Sequence, residues 1–335
     1  MALPTLPARA AWRPRPIAIL LAIVACVACT QCSAGDSAPN QPTPVNPSPP
    51  SPVPPVTPVP PVPPVTPVPP VPPSGPQTFV GAGDIGWCGS PGMEQTARLL
   101  DSIGGTVFTT GDNAYFSGTA QEFRNCYEPT WGRFKSFTRP VPGNHEYEGA
   151  GPRPYFDYFG ANAAPAGLSY YSYPLGGDWH AVALDSWLPV TEGSAQAQWL
   201  RADLTANQTK CTVAYWHYPL FTSGPNGNQT QMRPLWRILY EFGVDVVING
   251  HDHTYERFAP QDPNGFPDPA KGIREFIVGT GGAMPYSFVT TMPNSERRIA
   301  NTFGVLKMTL SSGTYQWEFI PGAGGASDSG TGSCH

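Results

Sequence analysis

The chain has 335 residues, of which 43 are proline and 36 glycine, and a net charge of −5. The first 76 residues hold 24 of the prolines, while residues 77–335 carry 16 basic and 23 acidic side chains. A domain with that acidic balance lacks the basic footprint of a nucleic-acid binder, and it contains no second apolar run of membrane-spanning length.

In chain order, MALPTLPARAAWRPRP supplies Arg9, Arg13 and Arg15 ahead of IAILLAIVAC, an apolar run too short to span a bilayer comfortably. This reads as a secretory signal over residues 1–32. Its end, IVAC at 23–26, resembles the lipobox of bacterial lipoproteins, in which Cys26 would be acylated and give the only membrane contact. The alternative is an ordinary cleaved signal, with Cys26, Cys29 and Cys32 incidental. Either way the chain is expected to be exported: secreted, periplasmic or held at the cell surface. Residues 33–76 read as a proline-rich linker, with VTPVPPVPP repeated at 56–64 and 65–73. Such a run favours extended polyproline II at ~3.1 Å per residue and can hold a domain on the order of 100 Å from its anchor. A ligand for a proline-binding module is the rival reading. The folded domain is then expected over 77–320, followed by a Gly/Ser-rich tail over 321–335.

Within that domain, periodicity and turn residues predict strands at 77–83, 106–110 and 139–142, with helices at 92–102 and 119–135 between them. Strands follow at 168–174 and 178–185, then a helix at 194–206, a strand at 211–216, a helix at 230–242 and a strand at 244–249. IREFIVGT and FGVLKMTLSSGTYQWEFIPG read as further strands, with a hairpin turn at Ser312-Gly313. Alternating strands and helices argue for a layered α/β fold, and the antiparallel end for a mixed sheet or a second sheet. Four cysteines lie here, Cys88, Cys126, Cys211 and Cys334, an even number in an exported chain. Three pairings are possible; we favour Cys88 with Cys126 and Cys211 with Cys334, free buried thiols being the alternative.

Polar residues collect where strands are expected to end, which is where α/β folds bind ligands. VGAGDIG places Asp84 after the first strand, TTGDNAY places Asp112 and Tyr115 after the second, and VPGNHEY places Asn144 and His145 after the third. AYWHYPL and VVINGHDHTYER add His217, His251 and His253. Any one of these is as readily a turn or a packed histidine, and Tyr115 alone could be packing. Together they gather carboxylates, a carboxamide and imidazoles, which would repel or stay unpaired without cations between them. Mixed nitrogen and oxygen donors suit iron, zinc or manganese. Seven donor side chains, Asp84, Asp112, Tyr115, Asn144, His217, His251 and His253, are too many for one tetrahedral site and enough for two metals if Asp112 bridges, an arrangement suited to in-line phosphoryl displacement.

The blocks GD, GDNxY, GNHE, an isolated His and GHxHxYER, in that order over Thr78 to Gly282, resemble the calcineurin-like metallophosphoesterases, and more narrowly the purple acid phosphatases. Asp84 is followed by Ile85 and Gly86 rather than by Asp-x-His, as in the latter. The resemblance implies a layered α/β/β/α sandwich of two mixed sheets flanked by helices. It further implies that Asp84, Tyr115 and His253 bind a first metal, Asp112 bridges, and Asn144, His217 and His251 bind a second. Tyr115 would give a phenolate to Fe3+, with Fe2+, Zn2+ or Mn2+ in the second site. His145 would contact the phosphate and protonate the leaving group, or orient Asn144, and the nucleophile would be a metal-bound hydroxide.

GDNAYFSG is most similar to the short, mammalian-type members, and the proline tract leaves no room for the upstream β-sandwich of the plant type. No further histidine lies between His217 and His251, whereas plant-type members carry substrate-contacting ones there. His180 and Glu256-Arg257 read as structural, His335 as mobile, and FTSGPNGNQT at 221–230 as a border of the substrate pocket. The function expected is a phosphomonoesterase acting on small phosphorylated substrates. A phosphodiesterase or nucleotide hydrolase using the same site is the alternative, and a binding module on an inactive scaffold is a third reading. The residues leave the oligomeric state open.

Overall fold

The computed structural model describes residues 75–149 and 151–335. The leader, Cys26 and all but the last two positions of the proline-rich segment lie outside the described residues. The strands are β1 (Gln77–Ala82), β2 (Thr106–Thr110), β3 (Thr138–Val141), β4 (Tyr171–Gly176), β5 (Trp179–Ala183), β6 (Cys211–Tyr215) and β7 (Val246–Asn249). They continue with β8 (Tyr255–Phe258), β9 (Arg274–Val278), β10 (Ser295–Ile299), β11 (Gly304–Ser311), β12 (Thr314–Pro321) and β13 (Asp328–Ser333). The helices are α1 (Gly92–Ile103), α2 (Ala120–Glu122), α3 (Asn144–Glu148), α4 (Arg153–Phe159), α5 (Ala195–Ala206) and α6 (Arg233–Glu241).

Two mixed sheets result, ordered β13-β12-β11-β1-β2-β3 and β10-β8-β9-β7-β6-β5-β4. The parallel pairs β1–β2 and β5–β6–β7 need crossover segments, and α1, α5 and α6 supply them. Side-chain alternation stacks the layers. In the second sheet Ala181, Val213, Tyr215, Val246 and Ile248 pack with Phe79, Phe108 and Met308 of the first. Their strand neighbours Val182, Ala214, Trp216 and Val247 turn to the opposite face and pack with Leu200, Trp236 and Leu239 of α5 and α6. Tyr215 meets Phe79 edge-on at 5.8 Å and Phe276 meets Trp317 at 5.7 Å across the sheet interface.

Three local expectations are corrected. The single helix over 119–135 is broken: α2 runs into one wide turn, Phe123–Tyr127, and a 3-10 segment, Trp131–Phe137. Pro129 lacks the N–H that a continuing helix would need, and Cys126 is tied by a disulfide to Cys88. The Gly/Ser-rich segment after 320 is not a loose tail, because β13 pairs antiparallel with β12, setting Gly330 opposite Trp317 and Gly332 opposite Tyr315. A Cβ on either glycine would meet those rings at 2.2 Å, so glycine is what lets the aromatics lie across the strand. His335 is not loose either: Cys334 is bonded to Cys211, and the His335 N–H donates to Asp245 at 3.0 Å. Both favoured cysteine pairings are thus present.

Candidate metal centre

β1, β2 and β3 of one sheet and β6 and β7 of the other all feed loops into one cleft. Asp84 and Asp112 each sit two residues beyond their strand, Asn144 opens α3, and His217 and His251 each follow their strand by two residues. The first two loops are zipped together by backbone bonds, Asp84 N–H to the Gly111 carbonyl at 3.0 Å and Ile85 N–H to the Asp112 carbonyl at 2.9 Å.

Two groups of donors meet at Asp112. In the first, the Tyr115 hydroxyl lies 2.8 Å from Asp84 Oδ1, 3.0 Å from Asp112 Oδ2 and 3.1 Å from His253 Nε2. In the second, His217 Nε2 is 3.1 Å from Asn144 Oδ1 and 3.3 Å from Asp112 Oδ2. Donor atoms of Asp112, His217 and His251 all fall within 4.8 Å of one another. All seven ligand candidates are therefore brought together, and one oxygen of Asp112 faces both groups. His145 stands beside them, its ring 4.5 Å from that of Tyr115 and its Nε2 3.7 Å from Asp112 Oδ2.

Neighbouring residues orient these donors. His217 Nδ1 lies 2.8 Å from the Thr110 carbonyl and His253 Nδ1 2.7 Å from that of Met284, which leaves both Nε2 atoms facing the cleft. Asp112 Oδ1 accepts the His145 N–H and Asp84 Oδ2 the His251 N–H, each at 3.0 Å. Tyr286 stacks on His253 at 3.9 Å.

The electrostatics are those of donors waiting for positive charge. Burial opposes ionisation of Asp112, but His217 beside it holds the carboxyl far below its ordinary value. Burial likewise opposes a charged His217, yet Asp112 raises it to about 9, whereas burial and then His217 lower His251 to about 4. Burial, then Asp112 and Asp84, push the Tyr115 phenol well up. Asp84 likewise raises His253 against the effect of burial, so protons on imidazoles offset the two buried carboxylates, and cations in the cleft would replace them and reverse the push on Tyr115.

Two carboxyl groups of the site, Glu146 and Asp252, escaped the sequence reading, whereas Glu256 is structural as expected. Glu146, fully buried, accepts the N–H groups of Asn113 (2.8 Å), Ala114 (3.2 Å) and Gly143 (2.7 Å), tying the Asp112 loop to the start of α3. Its signal was a glutamate three residues after the residue that precedes a helix. Asp252 accepts the Thr222 hydroxyl at 2.6 Å and the Asn226 N–H at 3.1 Å, and Glu256 accepts from Ser223. Segment 221–230 is thereby bound to the loop carrying His251 and His253. His180 is buried against Asp203, 2.7 Å away, on β5 and outside the centre.

A family model described as calcineurin-like phosphoesterase matches residues 77–255. Among curated proteins, Purple acid phosphatase 15 of Arabidopsis thaliana is 28% identical over 250 residues, 62% of this chain and 46% of its own length. Purple acid phosphatase 21 of the same plant is 33% identical over 235 residues, 62% of this chain and 50% of its own. The chain thus spans about half the length of the curated relatives it matches. The solved structure of purple acid phosphatase PPD1 from yellow lupin (Lupinus luteus) seeds superposes with a TM-score of 0.63 at 22% identity, covering 78% of this chain and 54% of that one, which shows a shared fold.

Proposed function

The chain belongs to the calcineurin-like phosphoesterase family, and on that premise we propose that it is an exported, purple acid phosphatase-like enzyme that hydrolyses small phosphate monoesters by in-line attack of water. The observation that carries this reading is the placing of the Tyr115 hydroxyl within 3.1 Å of three donor atoms from Asp84, Asp112 and His253. Four such groups in direct contact, a phenol among them, fit a hard cation able to take the place of the phenol's proton.

In this reading Asp84, Tyr115 and His253 would hold Fe3+, Asn144, His217 and His251 would hold Fe2+, Zn2+ or Mn2+, and Asp112 would be shared between the two sites. When bound, the two ions lower the pKa of water and screen the charge of the phosphate. The chain's own contribution is positional. Thr110 and Met284 carbonyls fix the tautomers of His217 and His253, and Glu146 locks two ligand loops together. His145 Nδ1–H donates to the Phe116 carbonyl at 2.7 Å, so the imidazolium form of His145 would present Nε2–H to the cleft and pass that proton to the departing oxygen as the phosphorus–oxygen bond breaks, leaving neutral imidazole. Two disulfides support an exported chain.

The test is metal content and visible absorption of the purified exported protein beside Tyr115→Phe. Two metals per chain are expected, with a phenolate-to-iron band that disappears in the variant, alongside faster turnover of phenyl phosphate than of bis-phenyl phosphate. Fewer than one metal per chain, or no band in a loaded and active protein, would overturn the ligand assignment.

A further inference from the structure

Phe116 follows Tyr115 directly and is 57% exposed. Its loop is not a loose one. The Glu122 carboxylate accepts the N–H groups of Phe116, Ser117 and Thr119 and the Thr119 hydroxyl, and Thr119 in turn caps α2. The indole of Trp87 meets the Phe116 ring edge-on at 4.3 Å and packs 5.5 Å from Tyr115, and the disulfide Cys88–Cys126 fastens the residue after Trp87 to the turn beyond α2. A rigid loop thus presents a bare phenyl to solvent, where apolar exposure is usually incidental rather than braced.

The position has a chemical meaning. The Phe116 carbonyl accepts from His145 Nδ1 at 2.7 Å, and the Phe116 and His145 rings both lie against Tyr115, at 6.2 and 4.5 Å. We infer that Phe116, backed by Trp87, is a stacking surface for the leaving group, and that the favoured substrates are phosphate monoesters of alcohols carrying a planar aromatic ring, either a simple aryl group or a nucleobase. This rests on the monoesterase reading and narrows its substrate class.

Two matched pairs test it on the metal-loaded protein: benzyl against cyclohexylmethyl phosphate, and adenosine 5′-monophosphate against ribose 5-phosphate. Within each pair the leaving oxygen belongs to a primary alcohol, so reactivity is nearly matched. Cyclohexylmethyl is at least as apolar as benzyl, so greasiness alone would favour the wrong member. Stacking predicts kcat/KM about tenfold higher for the ring-bearing member. Discrimination in the first pair alone identifies small aryl esters, and in the second alone nucleotides. The ratio should fall toward one in Phe116→Leu, which keeps apolar bulk without the ring, and persist in Phe116→Tyr, with melting temperatures confirming that both variants are folded. Equal kcat/KM within both pairs would overturn the inference and leave the phosphatase standing. No hydrolysis of any of the four would remove the monoesterase reading and the inference with it.

Discussion

Replacing Glu146 tests whether the ligand loops depend on one buried carboxyl. It has no solvent-exposed surface and accepts three backbone N–H groups, of Asn113, Ala114 and Gly143. Glu146→Ala leaves three buried donors without acceptors at about 1 kcal/mol or more each, and opens a cavity besides, for a loss of about 4 kcal/mol. Glu146→Gln keeps an oxygen for Asn113 and Ala114 and sets its NH2 against Gly143 alone, for about 1–2 kcal/mol. In a domain of this size those losses lower the melting temperature by about 12 °C and about 4 °C. Because the same bonds hold Asp112 beside Asn144, metal affinity should fall in the same order, on the order of 10- to 100-fold for alanine. Thermal melts and competitive metal titration of the three proteins read both quantities. An alanine variant losing under about 1 kcal/mol, or one that melts early while holding its metals as tightly as before, would refute the reasoning.

The disulfides should differ in value. Cys211–Cys334 spans 123 residues and Cys88–Cys126 spans 38, so constraint of the unfolded chain predicts about 5 and about 4 kcal/mol; paired Cys→Ala variants followed by denaturant unfolding would show the reverse order if strand packing already holds the C-terminus. Asp328, on β13, accepts from Tyr255, Arg257 and Trp317. Burial opposes its charge, but Arg257 and then Tyr255 hold the carboxyl below its ordinary value, so its contribution is complete above the unfolded value near ~3.9 and is lost as pH falls through the lower folded one. Asp328→Asn should therefore melt below the parent at neutral pH, with a gap that closes only in strong acid; a gap unchanged at pH ~3 would contradict this.

The order of strands and helices was legible because the parallel strands β5, β6 and β7 are buried on both faces and read as mainly apolar runs between helices with polar outer faces. The ligand candidates were legible because each follows such a run after a short loop. What failed failed locally. α3 and α4, of five and seven residues, are too short to show a helical period. β13 reads as a flexible tail by composition, since glycines chosen to fit under Trp317 and Tyr315 look the same in sequence as glycines chosen for mobility. Tyr115 offered two readings, packing or ligand, and the structure gives it both: its ring lies against Trp87 and His145, while its hydroxyl faces Asp84 and Asp112. Glu146 and Asp252 were passed over because a buried carboxylate that serves only backbone and hydroxyl donors leaves no pattern beyond its neighbours' names.

The compactness of the centre has its own conformational cost. Asp84, Asp112 and His251 have φ of 59°, 49° and 70°, left-handed values that non-glycine residues seldom adopt and that the surrounding structure must sustain. That backbone turns each side chain back across the end of its strand, toward the donors of the neighbouring loop, where an extended residue would carry it away. The glycines before the ligands complete the arrangement. A Cβ on Gly143 would stand 2.1 Å from Asp112 Oδ1, and one on Gly250 would stand 2.6 Å from Asp84 Oδ2. Each of these glycines clears room for a carboxylate from a different strand. The Gly-Asn and Gly-His pairs of the sequence are therefore statements about packing as much as chemistry: the second residue supplies a donor, and the first lets another strand's donor come within reach of it.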